Sequence, residues 1–120
     1  MQIVRALHTA LLVSNLERAE YFYGTVLGLA KVERPLSFAG TWYQVADYQI
    51  HLISAEQCVD DRVDCERWGR NRHVAFAVTD VRAAKDQLLR HGHTIQMSAS
   101  GRAALFTEDP DGNLIELSQM

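Results

Sequence analysis

Four side chains in this 120-residue chain are of types that hold divalent cations, and they fall on matching marks. His8 opens "HTALLV", His51 sits inside "YQIHLIS", His73 opens "HVAFAV" and Glu116 sits inside "NLIELSQ". His73 lies 65 residues after His8, and Glu116 lies 65 residues after His51. Imidazole nitrogen and carboxylate oxygen are usual ligands for borderline divalent ions. A single histidine at a strand start is commonly no more than a hydrogen-bonded structural residue. A mid-strand imidazole or carboxylate is harder to dismiss, because facing a core it is costly unless paired. Together, at repeat-equivalent places, the four predict a shared metal site with coordination positions left for a chelating substrate. The competing reading is a site without metal in which His51 pairs with Glu116.

The elements that must position these residues also repeat. Branched apolar residues over 3–13 predict a strand, and "SNLERAEYFYGTVLGL" predicts a helix with a Ser14/Glu17 capping box. Leu16, Ala19, Phe22, Tyr23, Val26 and Leu27 recur at helical spacing, with Gly28 as the left-handed stop. Strands are expected near 30–34, 40–46 and 48–54, then a polar linker over 56–72. From 73 the order restarts: a strand at 73–78 is followed by a capped helix, "TDVRAAKDQLLRHG", that buries Val81, Ala84, Leu88 and Leu89. Strands follow near 94–97, 103–108 and 113–118, and "EDPDGN" makes the final hairpin turn. Val13 to Val78 and Asn15 to Asp80 keep the 65-residue offset. The expected architecture is α+β: one domain over 1–120 built of two βαβββ modules, 1–55 and 73–120. Alternate strand residues share a face, so each module can aim its candidate ligands to one side while their neighbours pack.

Composition narrows the partners. The formal charge of −3 and a pI near 5.9 argue against a nucleic-acid or anionic-membrane surface. No apolar run reaches bilayer-spanning length, and "MQIVRALHTALLV" lacks a signal's cationic start and small-residue end, so a cytoplasmic location is expected. Cys58 and Cys65, with six residues between them in a polar segment, read as free loop thiols rather than a zinc clip. His91 and His93 flank Gly92 at a helix end, where positive charge suits the dipole.

The whole chain resembles the vicinal oxygen chelate superfamily, which includes glyoxalase I, thiol transferases, extradiol dioxygenases and bleomycin-binding proteins. The stretches that carry it are "LHTALLVSNLERAEYFYGTVLGL", "RHVAFAVTDV" and "FTEDPDGNLIEL". The resemblance implies a cupped mixed sheet around one divalent metal (nickel, zinc, manganese or iron). It also implies a homodimer whose sites often combine modules from two chains. His8, His73 and Glu116 match the family's two-histidine, one-carboxylate set, and His51 occupies its variable fourth ligand position. Leu12 and Ala55 stand where the bacterial glyoxalase has an arginine and an asparagine that contact glutathione, which argues against that thiol.

The implied chemistry is that of a glyoxalase-like lyase or isomerase acting on a small oxygen-chelating oxo compound or thiol adduct. Glu116, the only carboxylate of the four, is its expected proton carrier, and His51 is a candidate second base. Arg102, Trp42 and Phe106 are candidate substrate contacts. Two alternatives remain at this point: an extradiol-type dioxygenase using His8, His73 and Glu116 on ferrous iron, and a metal-independent small-molecule binding or resistance protein.

Overall fold

The computed structural model describes residues 1–120 and divides them into two compact units, Met1–Cys58 and Val59–Met120. The first runs β1 (His8–Val13), α1 (Leu16–Glu20), β2 (Ala30–Val32), β3 (Gly40–Val45) and β4 (Tyr48–Ser54). The second runs β5 (His73–Val78), α2 (Val81–Arg90), β6 (Ile95–Met97), β7 (Ala104–Glu108) and β8 (Leu114–Gln119). Each unit forms one four-stranded sheet, in the orders β1-β4-β3-β2 and β5-β8-β7-β6. First and last strands pair in parallel and the other neighbours are antiparallel, so the α+β, two-module architecture is as expected.

The repeat holds at the level of register. His8 pairs with Gln49 and Ala10 with His51; 65 residues on, His73 pairs with Leu114 and Ala75 with Glu116. On the next strand the offset falls to 64, since Trp42 opposes His51 and Phe106 opposes Glu116. The difference lies in the hairpins, because the β7–β8 turn is one residue longer than the counterpart β3–β4 connection.

Within each sheet, one face packs on the helix and the other, which carries the candidate ligands, is only partly covered. Val13, Tyr43, Ile50 and Leu52 share the packed face of the first module with Ala19, Phe22, Tyr23 and Val26. Burial, with help from Glu20, pushes the Tyr43 hydroxyl up to about 12, so it stays protonated. Leu105, Ile115, Leu117, Val81 and Leu88 form the corresponding core of the second module.

Several local expectations need correction. The first strand begins at His8 rather than residue 3, leaving Ile3, Val4 and Leu7 exposed. β4 begins at Tyr48 and its ladder with β1 at Gln49, so earlier residues have no strand to pair with. The first helix is capped by Asn15, whose Oδ1 accepts from the Arg18 amide at 2.9 Å, and not by Ser14. After Glu20 it widens into a π-helical turn, Tyr21–Val26, in which the Leu27 amide reaches the Phe22 carbonyl. Gly24 lies in that turn beside the Tyr43 ring. Leu89 is exposed, so the apolar face of α2 is narrower than its pattern suggests. The charged form expected of His93 at the helix end is disfavoured. Burial, then the neighbouring His91, lowers its pKa.

The 56–72 segment is polar, but residues 62–72 are tightly organised. The Asn71 carboxamide accepts from the Val63 and Asp64 amides and donates to the Asp64 carbonyl. The Asp64 carboxylate accepts from the Glu66 and Arg67 amides, which lowers its pKa, and a single 3-10 turn follows at Trp68–Arg70. The hairpin expected at "EDPDGN" is present, with Gly112 at φ 86°. The Asp109 carboxylate anchors it, accepting from the Asp111 amide and from both the amide and side chain of Asn113 at 2.8–2.9 Å.

Two stability measurements test this account. Asp109→Ala should cost about 1–3 kcal/mol in urea unfolding, since it removes the buried acceptor of three half-buried donors of the turn. A histidine whose folded pKa is lowered binds fewer protons folded than unfolded, so its destabilisation is absent above its unfolded pKa and grows as pH falls below it. His93→Gln should therefore lose less stability than the parent between neutral and mildly acidic pH, and equal losses would reject the burial account.

Candidate functional site

Position on the sheet dictates which side chains meet. Residues paired across strands share a face, so Trp42, His51 and Ala10 lie together, and His8 is one rung away diagonally. On the first module these rings form a stack. His51 lies 4.0 Å from Trp42 at 6° and 4.0 Å from His8 at 11°. His51 Nε2 also meets the Gln49 side-chain oxygen at 2.8 Å. Its residue is only 9% exposed. Burial first, then His8, then Arg34 lower its pKa, so the ring is held neutral at neutral pH. Arg34 was not anticipated. Its guanidinium lies against Gly40, packs on the Phe38 ring and donates from Nη1 to the Phe38 carbonyl, while Nε and Nη2 are buried without a partner.

The second module brings together the other two candidates. His73 Nε2 is 3.6 Å from Glu116 Oε1, and Glu116 is 9% exposed. His73 Nδ1 donates to the Asn71 carbonyl at 2.7 Å, which ties the ring to the organised 62–72 segment. A carbonyl can only accept, so Nδ1 carries hydrogen and Nε2 faces the carboxylate with its proton or its lone pair. Glu116 Oε2 accepts from the Ser118 hydroxyl at 2.8 Å, and Arg102 Nη2 lies 3.4 Å from Oε1. The Phe106 ring meets His73 edge-on, with centroids 5.5 Å apart.

These residues line a pocket of about 700 Å³ in the second module. His73, Glu116, Arg102 and Phe106 meet Arg67 and Arg70 from the 3-10 turn there. Gly69 makes the turn's close approach possible, because a Cβ there would sit 2.6 Å from the Phe106 ring. Gln96 holds the turn in place, accepting from the Trp68 amide and donating to the Glu66 carbonyl.

Each module thus assembles one pair of the expected four ligands, His8 with His51 and His73 with Glu116. Neither module by itself gathers a group of three or more His, Cys, Asp or Glu side chains as a cation cage. The second pair suits a cation on chemical grounds: with Nδ1 committed, a neutral His73 presents a lone pair to a carboxylate, and two acceptors face each other at 3.6 Å. Asn71, Ser118, Gln49 and Arg34 went unnoticed in the sequence. Ser118 and Gln49 lie two residues from a candidate ligand on the same strand, the spacing of a strand face, which was the available signal; Asn71 acts on His73 through its main-chain carbonyl, which no residue type announces.

Two sheets with histidine and carboxylate on their open faces define a class, and the chain belongs to it. The glyoxalase/bleomycin resistance protein/dioxygenase superfamily model matches residues 5–117. The chain is 30% identical to lactoylglutathione lyase of Neisseria meningitidis over 132 aligned positions, covering 97% of this chain and 91% of that protein. Among solved structures, a glyoxalase family protein from Bacillus anthracis aligns with TM-score 0.80 at 22% identity, covering 99% and 97% of the two chains. An antibiotic binding protein from Streptomyces aligns with TM-score 0.72 at 24% identity, covering 99% and 98%. These two share the fold. No helix is long and apolar enough to cross a membrane.

The pocket wall can be checked directly. Gly69→Ala should destabilise the protein by about 1–3 kcal/mol, because the turn or the Phe106 ring must move. Unchanged unfolding together with unchanged aromatic chemical shifts at Phe106 would show that the contact is not tight.

Proposed function

We propose that the protein is a divalent-metal-dependent lyase or isomerase of the glyoxalase kind, acting on a small oxo compound or thiol adduct that presents adjacent oxygens. The observation that carries this reading is the His73–Glu116 pair on the pocket wall, with one ring nitrogen already committed and the carboxylate nearly buried. Kinship with lactoylglutathione lyase supports the reaction class.

His8, His51, His73 and Glu116 are the proposed ligands, a nitrogen and oxygen set suited to nickel, zinc, manganese or iron. A divalent ion held by them supplies charge stabilisation as an enolate or oxyanion develops on the substrate. Glu116 carries a proton between adjacent substrate carbons. Ser118 and Arg102 hold its two oxygens in place meanwhile. His51, neutral at neutral pH, is available as the second base. Arg102 receives an anionic substrate group and Phe106 offers an apolar wall, with Trp42 as the contact proposed on the first module. Leu12 and Ala55 supply neither charge nor amide to glutathione's ends, which favours another thiol.

We read the working unit as a homodimer in which a second copy completes each site, the arrangement that the resemblance of the whole chain to its superfamily implies. Three experiments decide the matter. Metal analysis of protein purified without chelator should find one divalent ion per site, and Glu116→Gln should lower turnover of methylglyoxal–thiol adducts by about 10²–10⁴-fold with the fold intact. An active Glu116→Gln variant sinks the proton-carrier role. Mixing inactive His8→Ala and Glu116→Gln proteins should restore about a quarter of parental activity if sites span two copies, because half the dimers are mixed and each has one intact site. No recovery after subunit exchange would place each site within one chain.

A further inference from the structure

His51 is reached by a line of side-chain amides along the open face of the first sheet. Gln44 and Gln49 oppose each other across β3 and β4, and His51 lies two residues beyond Gln49 on the same face. Gln44 Nε2 donates to the backbone carbonyls of Ala46 and Tyr48, at 2.8 and 3.2 Å. The first lies in the tight turn after β3, where Ala46 takes the left-handed φ of 52°, and the second is at the first residue of β4. Carbonyls accept and never donate, so the Gln44 amide has one allowed orientation. Its oxygen then accepts from Gln49 Nε2 at 2.7 Å. That fixes the Gln49 amide in turn and aims its oxygen at His51 Nε2, 2.8 Å away. An oxygen there demands a donor. Reversing either amide would set two donors or two acceptors face to face. The ring has little freedom to tilt out of the way, since Trp42 and His8 cover its faces at 4.0 Å each.

We infer that Gln44 and Gln49 form an amide relay that locks His51 as the Nε2–H tautomer, leaving Nδ1 as its lone-pair nitrogen. This inference rests on the ligand reading of His51 only where it names Nδ1 as the donor atom. His73 is set the opposite way: its Nδ1 hydrogen goes to the Asn71 carbonyl, so its lone pair is on Nε2. Repeat-equivalence therefore breaks down at the level of atoms. His51 offers Nδ1 and His73 offers Nε2, each chosen by a partner on its own module. Gln44 and Gln49 are positioning residues, one and two steps behind the ring.

The test uses the full-length, metal-free protein labelled with ¹⁵N, observed well above the imidazole titration range. Two-bond nitrogen–proton spectra should show His51 with a pyrrole-type Nε2 and a pyridine-type Nδ1. Gln49→Met keeps the length of the side chain but cannot accept, so both His51 nitrogens should shift toward averaged values as the tautomers mix. Gln49→Glu loses the donor to Gln44 but can still accept at Nε2, so it should return the single-tautomer pattern, and backbone amide spectra report whether each variant is folded. A parental spectrum with hydrogen on Nδ1, or a Met variant matching the parent, overturns the relay. Zinc(II) added to the parent should then move the Nδ1 resonance far more than Nε2. A larger Nε2 shift overturns the donor assignment. If neither nitrogen moves while the tautomer pattern holds, the ligand reading of His51 fails and the relay stands.

Discussion

The parallel pairing of first and last strands in each module is the constraint on which the rest depends. It places β4 and β8 inside their sheets, with neighbours on both sides, and so draws His51 and Glu116 into nearly buried positions. The same register sets His8 and His73 one strand away on the same face. A slip of one residue in either ladder would turn the mid-strand ligand toward the helix-packed core and replace it with an aliphatic neighbour. An imidazole or carboxylate there would lack the partners described above, and its burial would be strongly unfavourable. The packing pattern that specifies the sheets therefore also specifies the site.

The two halves share this frame but use it differently. The first places His51 between two rings and against an amide, so packing on both faces and a hydrogen bond at one edge hold it. The second uses directed polar contacts, with a backbone carbonyl on His73, and a hydroxyl and a guanidinium on Glu116. A neutral imidazole tolerates stacking between rings, whereas a carboxylate near the core needs donors for both oxygens. The chemistry of the ligand thus explains the difference in its surroundings. The duplication supplied equivalent rungs and left each module to stabilise what stands on them.

Residues 62–72 show how a segment without regular structure can still serve the site. Asp64 and Asn71 use their side chains in place of a ladder, satisfying backbone groups that neither helix nor strand provides for. The Asn71 carbonyl then meets His73, and Gly69 admits the Phe106 ring. Polarity alone marks such a stretch as a linker. Its order depends on which oxygen finds which amide, and composition carries no trace of that.

The amino-acid sequence by itself determined the duplication, the βαβββ order, the hairpin at "EDPDGN" and the places of His8, His51, His73 and Glu116 on first and last strands. All of these follow from local periodicity and turn chemistry, which are written within a few residues of each other. The tertiary structure alone decided where β1 begins, that Asn15 caps α1, that the helix widens at Tyr21, and that Leu89 stays outside. It also decided which atoms meet: Gln49 with His51, Asn71 with His73, Trp42 over an imidazole. Strand register and side-chain rotamer settle those contacts, and both depend on partners dozens of residues distant, beyond the reach of any periodic pattern.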